Sequence, residues 1–168
     1  MQLLDGKQTS LDIQQEIAVQ VEHMLNEGKK KPHLAAILVG NDGASETYVG
    51  AKVRACEKVG FDSTLIRLDD SISQEQLIAE VEKINQNDNI DGLIVQLPLP
   101  KHIDELSVTK AIYPSKDVDG FHPENVGKMT LNIPTFLPAT PAGIIELIKR
   151  YKIETEGKHC VVIGRSNI

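Results

Sequence analysis

Tyr48 and Lys52 stand four residues apart in the stretch ASETYVGAKVRACEKVG, residues 44–60. That spacing makes them neighbours on one face of a helix. On a wheel of about 100° per residue, Val49, Val53 and Cys56 form the apolar face, with Arg54, Glu57 and Lys58 on the other side. Lys52 does not join the charged side; it lies within about 60° of the apolar centre. Either its methylenes cover apolar surface while the ammonium stays in water, or the amine is partly withdrawn from water and serves as base or nucleophile. The tyrosine beside it suits stacking on a flat substrate or holding a hydrogen bond.

Gln96 interrupts the apolar run IDGLIVQLPLP, residues 90–100. An amide there needs partners at both ends, so it is either a strand-end amide bonded to backbone or a group that positions a neighbour such as Lys52. Pro98 and Pro100 cannot continue a central ladder; the strand opens around Leu97 and Pro98 and frees backbone carbonyls for a ligand. In KDVDG, Asp117 and Asp119 are two apart, which in extended chain puts both carboxylates on one side. A turn or cap before Gly120 would explain them, as would pairing with the N–H groups of a heterocycle. A metal would need more oxygen ligands than this run offers.

These residues must be positioned by the elements around them. Helical spacing of apolar residues over 10–28 predicts a first helix ending at Gly28. HLAAILVG (33–40) reads as a buried parallel strand, followed by the Tyr48–Lys52 helix with Ser45 as N-cap and Gly60 as stop. A strand over 63–69, a helix over 73–88, a strand over 90–100 and a short helix over 103–112 follow, then a polar loop over 114–128. This order predicts an α/β domain of three layers, α/β/α, around a mostly parallel sheet. Ligands bind such sheets beyond the carboxyl ends of the strands. The loop 40–45, the residues after the second strand, QLPLP and KDVDG all fall there, so the unusual residues converge on one cleft.

The remaining chain begins something new. In PATPAGIIELIKRY (138–151), Thr140 is placed to cap a helix and Pro141 to open it. GKHCVVIG then predicts a strand ending at Gly164, the way a dinucleotide-binding βαβ unit begins. The expected division is a catalytic domain over 1–139 and a linker helix with the start of a second domain over 140–168.

Composition narrows the classes. The chain has 168 residues, a formal net charge of −6, 40% hydrophobic and 25% charged residues, as expected of a soluble globular protein. An acidic balance argues against nonspecific nucleic-acid binding, and GKKKP (28–32) reads as a solvated helix end. No apolar run reaches the roughly 20 residues needed to span a bilayer, and QLLDGKQ after Met1 lacks the features of a secretory signal. Cys56 and Cys160 are far apart in the sequence, which predicts reduced thiols in a cytoplasmic protein. The five histidines and two cysteines show no zinc-ligand spacing, so no metal is expected.

ETYVGAKVRACEKVG, DGLIVQLPLP, KDVDGFHPENVGK, PATPAGI and VVIGRSNI, in this order, resemble the bifunctional methylenetetrahydrofolate dehydrogenase/methenyltetrahydrofolate cyclohydrolase family over essentially the whole chain. The resemblance implies hydride transfer from 5,10-methylenetetrahydrofolate to NADP (NAD in some members), then hydrolysis of the methenyl form to 10-formyltetrahydrofolate in the same cleft. Lys52 matches the family's catalytic lysine and Tyr48 the tyrosine that packs on the folate. Gln96 matches the glutamine bonded to that lysine, and Asp119 the aspartate that binds the pterin ring. Ser45, Leu97 and Pro98 fall at positions lining the site. Gly164, Arg165 and Ser166 match the start of the cofactor motif, where arginine and serine help hold the adenosine ribose phosphate.

Ala139 replaces the cysteine of many relatives, a change expected to have little chemical effect. The sequence ends at Ile168, within the cofactor motif, so the expectation is a chain holding the folate half without dehydrogenase activity of its own. The implied partners are a small folate substrate and, for the longer parent, a second copy in a homodimer. A Schiff-base lyase using Lys52, or a folate-binding module without catalysis, remains the alternative.

Overall fold

The structure is a computed structural model and describes residues 3–164. The apolar run HLAAILV forms β1 (His33–Val39), which lies between β2 (Asp62–Leu68) and β3 (Gly92–Val95) in a parallel sheet of order β2-β1-β3. His33 pairs with Asp62 and Val39 with Leu68 on one side; Leu34 pairs with Gly92 and Ile37 with Val95 on the other. As the central strand, β1 is covered on both faces, which is why its apolar residues run on without alternation.

The period-2 side chains divide between two cores. Ala35, Ile37 and Val39 pack with Leu93 and Val95 against Leu77, Val81 and Ile84 of α3 (Gln74–Asn85) and Val108 of α4 (Glu105–Ala111). Ala36, Leu38 and Ile94 pack on the opposite face with Val49 of α2 (Gly43–Val59). The helix α1 (Gly6–Asn26) lies beside α2. The expected three-layer α/β domain with helices on both faces is therefore present.

Several boundaries differ from expectation for identifiable reasons. Helix α1 starts at Gly6, four residues before the first predicted position, because Asp5 accepts a hydrogen bond from Gln8 N at 2.9 Å and caps it. Asp42, not Ser45, caps α2, its carboxylate accepting from Ser45 N at 2.8 Å. Gly60 ends α2 in the left-handed region at φ 81° as predicted. Strand β3 has four residues rather than the expected eleven, because Pro98 and Pro100 carry no N–H for a ladder; the Leu97–Pro98 peptide is cis.

The expected polar loop over 114–128 contains most of a helix, α5 (Pro123–Thr130). Pro123 occupies its first turn, and His122 Nδ1 accepts from Glu124 N at 3.1 Å, a start signal readable in HPEN. The last helix, α6, begins at Ala139 and runs to Arg150. Thr140 is therefore inside the helix, and no side chain caps its start. Arg150 reaches back to Glu16 of α1 with two bonds of 2.7 and 2.6 Å, and Asp5 N donates to the Tyr151 hydroxyl at 2.9 Å. The strand expected after α6 does not form among the described residues: Val162 and Ile163 are 86% and 97% exposed. A strand is stable only when its backbone groups are laddered to a neighbour, and residues 158–164 have none among the described residues.

Candidate active site

The strand order creates the opening in which the site sits. The connection after β1 enters α2 on one face of the sheet, and the connection after β3 leads to α4 on the other. The chain thus leaves the carboxyl ends of the neighbouring strands β1 and β3 toward opposite faces, which is the switch point where open α/β sheets hold ligands. A cleft of about 540 Å³ lies there, lined by Tyr48 and Lys52 from α2, Val95, Gln96 and Leu97 from the end of β3, and Asp119 and Phe121 from the KDVDG turn. Pro138, Ala139, Thr140 and Pro141 at the start of α6 close the remaining side.

Lys52 Nζ donates to Gln96 Oε1 at 3.4 Å, and Gln96 Nε2 donates to the Leu97 carbonyl at 2.6 Å. Both ends of the amide are satisfied, so both sequence alternatives for Gln96 hold together: it is bonded to backbone and it touches the lysine. Lys52 is partly buried, whereas Tyr48 is 65% exposed with its ring in the cleft. An open aromatic face beside a lysine suits a flat, partly aromatic ligand.

Asp117 and Asp119 do not act as a pair. Asp117 is 1% exposed, and its Oδ2 accepts from His122 N at 2.7 Å and Asn125 Nδ2 at 2.8 Å. The segment turns at this point, Gly120 N donating to the Asp117 carbonyl at 3.2 Å, which leaves Asp119 facing the cleft. Burial pushes the Asp119 carboxyl above the ordinary range; the Lys52 cation opposes the shift and the Asp117 charge adds to it.

The cleft thus unites Tyr48, Lys52, Gln96, Leu97 and Asp119. Ser45 is buried in the first turn of α2, and neither it nor Pro98 lines the cleft. Gly164 lies in the exposed segment after α6, and Arg165 and Ser166 fall outside the described residues. The sequence assigns neither Phe121 nor the 138–141 wall to the site. The residue types of PATP signal a helix start, and nothing in them reports that the helix begins against a cleft.

A family model described as tetrahydrofolate dehydrogenase/cyclohydrolase, catalytic domain, matches residues 4–119. The chain belongs to the tetrahydrofolate dehydrogenase/cyclohydrolase family. A second model, the NAD(P)-binding domain of the same family, matches residues 138–168. Two relatives named bifunctional protein FolD, from Flavobacterium johnsoniae and Porphyromonas gingivalis, are 61% and 58% identical over 168 and 166 residues. The chain is covered to 100% and 99%, but spans only 57% and 56% of their lengths.

Among solved members of the family, FolD from Campylobacter jejuni superposes with a TM-score of 0.97 at 45% identity, covering 100% of this chain and 60% of its own. The Trypanosoma brucei enzyme, solved with NADP cofactor and inhibitor, gives 0.87 at 32% identity over 92% of this chain and 53% of its own. The resemblance carried by the motifs and the membership decided by these matches agree.

Proposed function

We propose that the cleft binds a tetrahydrofolate derivative and that Lys52 drives hydrolysis of its 5,10-methenyl form to 10-formyltetrahydrofolate. The observation that carries this reading is the Lys52–Gln96 contact in a cleft also lined by Asp119 and Tyr48. The methenyl carbon is an electrophile activated by its own positive charge, so a positioned water and a proton-handling amine suffice. Water oxygen bonds to that carbon, the carbon–N5 bond breaks, N5 receives one proton and a second leaves to solvent. Lys52 is the group that takes and returns these protons, and Gln96 holds its ammonium in place. Tyr48 is the platform under the ring system, and Asp119 faces the pterin N–H groups. Leu97 offers backbone at the strand end, while Ser45 and Pro98 act behind the cleft rather than in it.

For the whole protein we propose the bifunctional activity of the family, with NADP as hydride acceptor and NAD as the alternative, in the cytoplasm and as a homodimer. Support comes from the second family match over 138–168, and from the absence, among the described residues, of a helix long and apolar enough to cross a membrane. The division into 1–139 and 140–168 is proposed with it. The expected cofactor residues are Gly164, Arg165 and Ser166. The described part of the segment, 158–164, is exposed and forms no cradle for a dinucleotide, with open space around Gly164.

The test is spectrophotometric. With methenyltetrahydrofolate added, the chain should accelerate loss of the methenyl chromophore and Lys52→Met should not. Equal rates for the two proteins would reduce the site to a binding module, and no folate binding by either would end the proposal.

A further inference from the structure

Asn125 is 1% exposed and does not line the cleft. Its amide is completely engaged. Nδ2 donates to the Pro114 carbonyl at 2.9 Å and to Asp117 Oδ2 at 2.8 Å, and Oδ1 accepts from the Thr135 hydroxyl at 2.7 Å. Asp117 Oδ2 also accepts from His122 N at 2.7 Å. The network therefore fastens three pieces of chain: the turn that carries Asp119, the first turn of α5, and the segment that arrives at the start of α6.

A second contact registers the same pieces. Gly120 sits at φ 70° directly against the backbone of 136–138, so close that a Cβ there would lie 2.8 Å from Phe136 O and 2.9 Å from Leu137 C. The turn bearing Asp119 and Phe121 is thus packed backbone to backbone on the chain that becomes the Pro138–Pro141 wall. Those are two adjacent sides of the cleft, while Lys52 in α2 and Gln96, the first residue after β3, are tied to each other.

We propose that Asn125 and Thr135 are positioning residues that set the separation between the Asp119 side of the cleft and the 138–141 wall, and so set affinity for the ring of the ligand without entering the Lys52 chemistry. The mechanism is steric and geometric. Without the Thr135 bond, Asn125 Oδ1 loses its partner, the 132–137 segment loses its anchor beside Gly120, and the two cleft sides relax together. The assignment of the ligand as a folate rests on the function proposed above; the coupling of the two cleft sides does not.

Asn125→Ala leaves a buried carboxylate short of a donor and risks global unfolding, so the decisive variant is at the half-buried Thr135. In the full chain, Thr135→Val should raise KM for methenyltetrahydrofolate about tenfold while kcat stays within about twofold, and Thr135→Ser should restore the original KM. Amide hydrogen exchange on the ligand-free proteins supplies the second readout: Thr135→Val should speed exchange in 117–121 and in 136–142 together, leaving α3 unchanged. A fall in kcat with KM unchanged, or equal defects in the Val and Ser variants, would overturn the proposal. Exchange unaltered in either segment would overturn it as well. If the unaltered chain neither binds nor hydrolyses the folate, the functional reading fails and the exchange result alone decides the positioning role.

Discussion

Lys52 Nζ and Gln96 Oε1 meet at 3.4 Å across 44 residues of sequence, joining the middle of α2 to the first residue past β3. The contact exists because β1 and β3 are neighbours in the sheet and α2 returns over their carboxyl ends. It gives the lysine a neutral acceptor rather than a carboxylate, so the amine is oriented without being locked into an ion pair.

The first prediction concerns this pair. Replacing Lys52 with Met should lower methenyltetrahydrofolate hydrolysis on the order of 10²–10⁴-fold, the usual weight of a positioned acid–base group. Gln96→Ala should cost less, since the lysine remains but its orientation is lost. Stopped absorbance traces at saturating substrate measure both; a Gln96→Ala loss larger than that of Lys52→Met would contradict the assigned order of roles.

Asp119 gives a pH dependence with a definite sign. Its carboxyl titrates higher in the folded chain than in the unfolded one, mainly through burial. The folded state therefore holds the proton more tightly, and this group's contribution to stability falls as pH rises from the ordinary carboxylate range through the raised folded value. Asp119→Asn should stabilise the fold at neutral pH and flatten that limb of the stability profile. Urea midpoints collected from pH 4 to pH 8 would show it; a variant less stable than the parent at neutral pH would refute the burial argument.

Gly120 should tolerate no side chain. At φ 70°, with Phe136 O and Leu137 C in the space a Cβ needs, Gly120→Ala combines left-handed strain with a backbone clash. A loss of about 3 kcal/mol is expected, together with weaker folate binding because the 138–141 wall must move. Gly127 of α5, with nothing within 4 Å of its added Cβ, is the control: Gly127→Ala should be neutral or slightly stabilising.

The cores should respond according to layer. Leu77 is fully buried between α3 and the sheet, so Leu77→Ala should cost about 2–5 kcal/mol. The exposed Ile144 of α6 should cost under about 1 kcal/mol when cut to Ala. Chemical denaturation of the two variants in parallel measures the contrast, and equal losses would mean that the α6 face is packed in solution.

The sequence by itself determined the periodicities. Continuous apolar residues in HLAAILV marked a central strand, the 3.6-residue stripe in QEQLIAEVEKIN marked α3, and the misplaced Lys52 marked a helix with a chemical face. These are local consequences of side-chain spacing and needed no knowledge of neighbours. Resemblance to a family ties Lys52, Tyr48, Gln96 and Asp119 to one ligand on sequence alone. Caps were less legible, because Asp42 and Ser45 are both good capping residues and only the path of the loop chooses between them.

Tertiary structure decided the rest. Asp117 and Asp119 look equivalent in KDVDG, but a turn sends one to the Asn125 amide and the other to the cleft. Residues 158–163 have the composition of a strand yet form none and remain exposed, since strand formation depends on a partner and not on β propensity alone. Phe121 and the 138–141 wall became part of the site only when Gly120 packed against the chain leading into α6. Spacing along one element is written in the sequence; which elements face each other across a cleft is set by sheet order and packing.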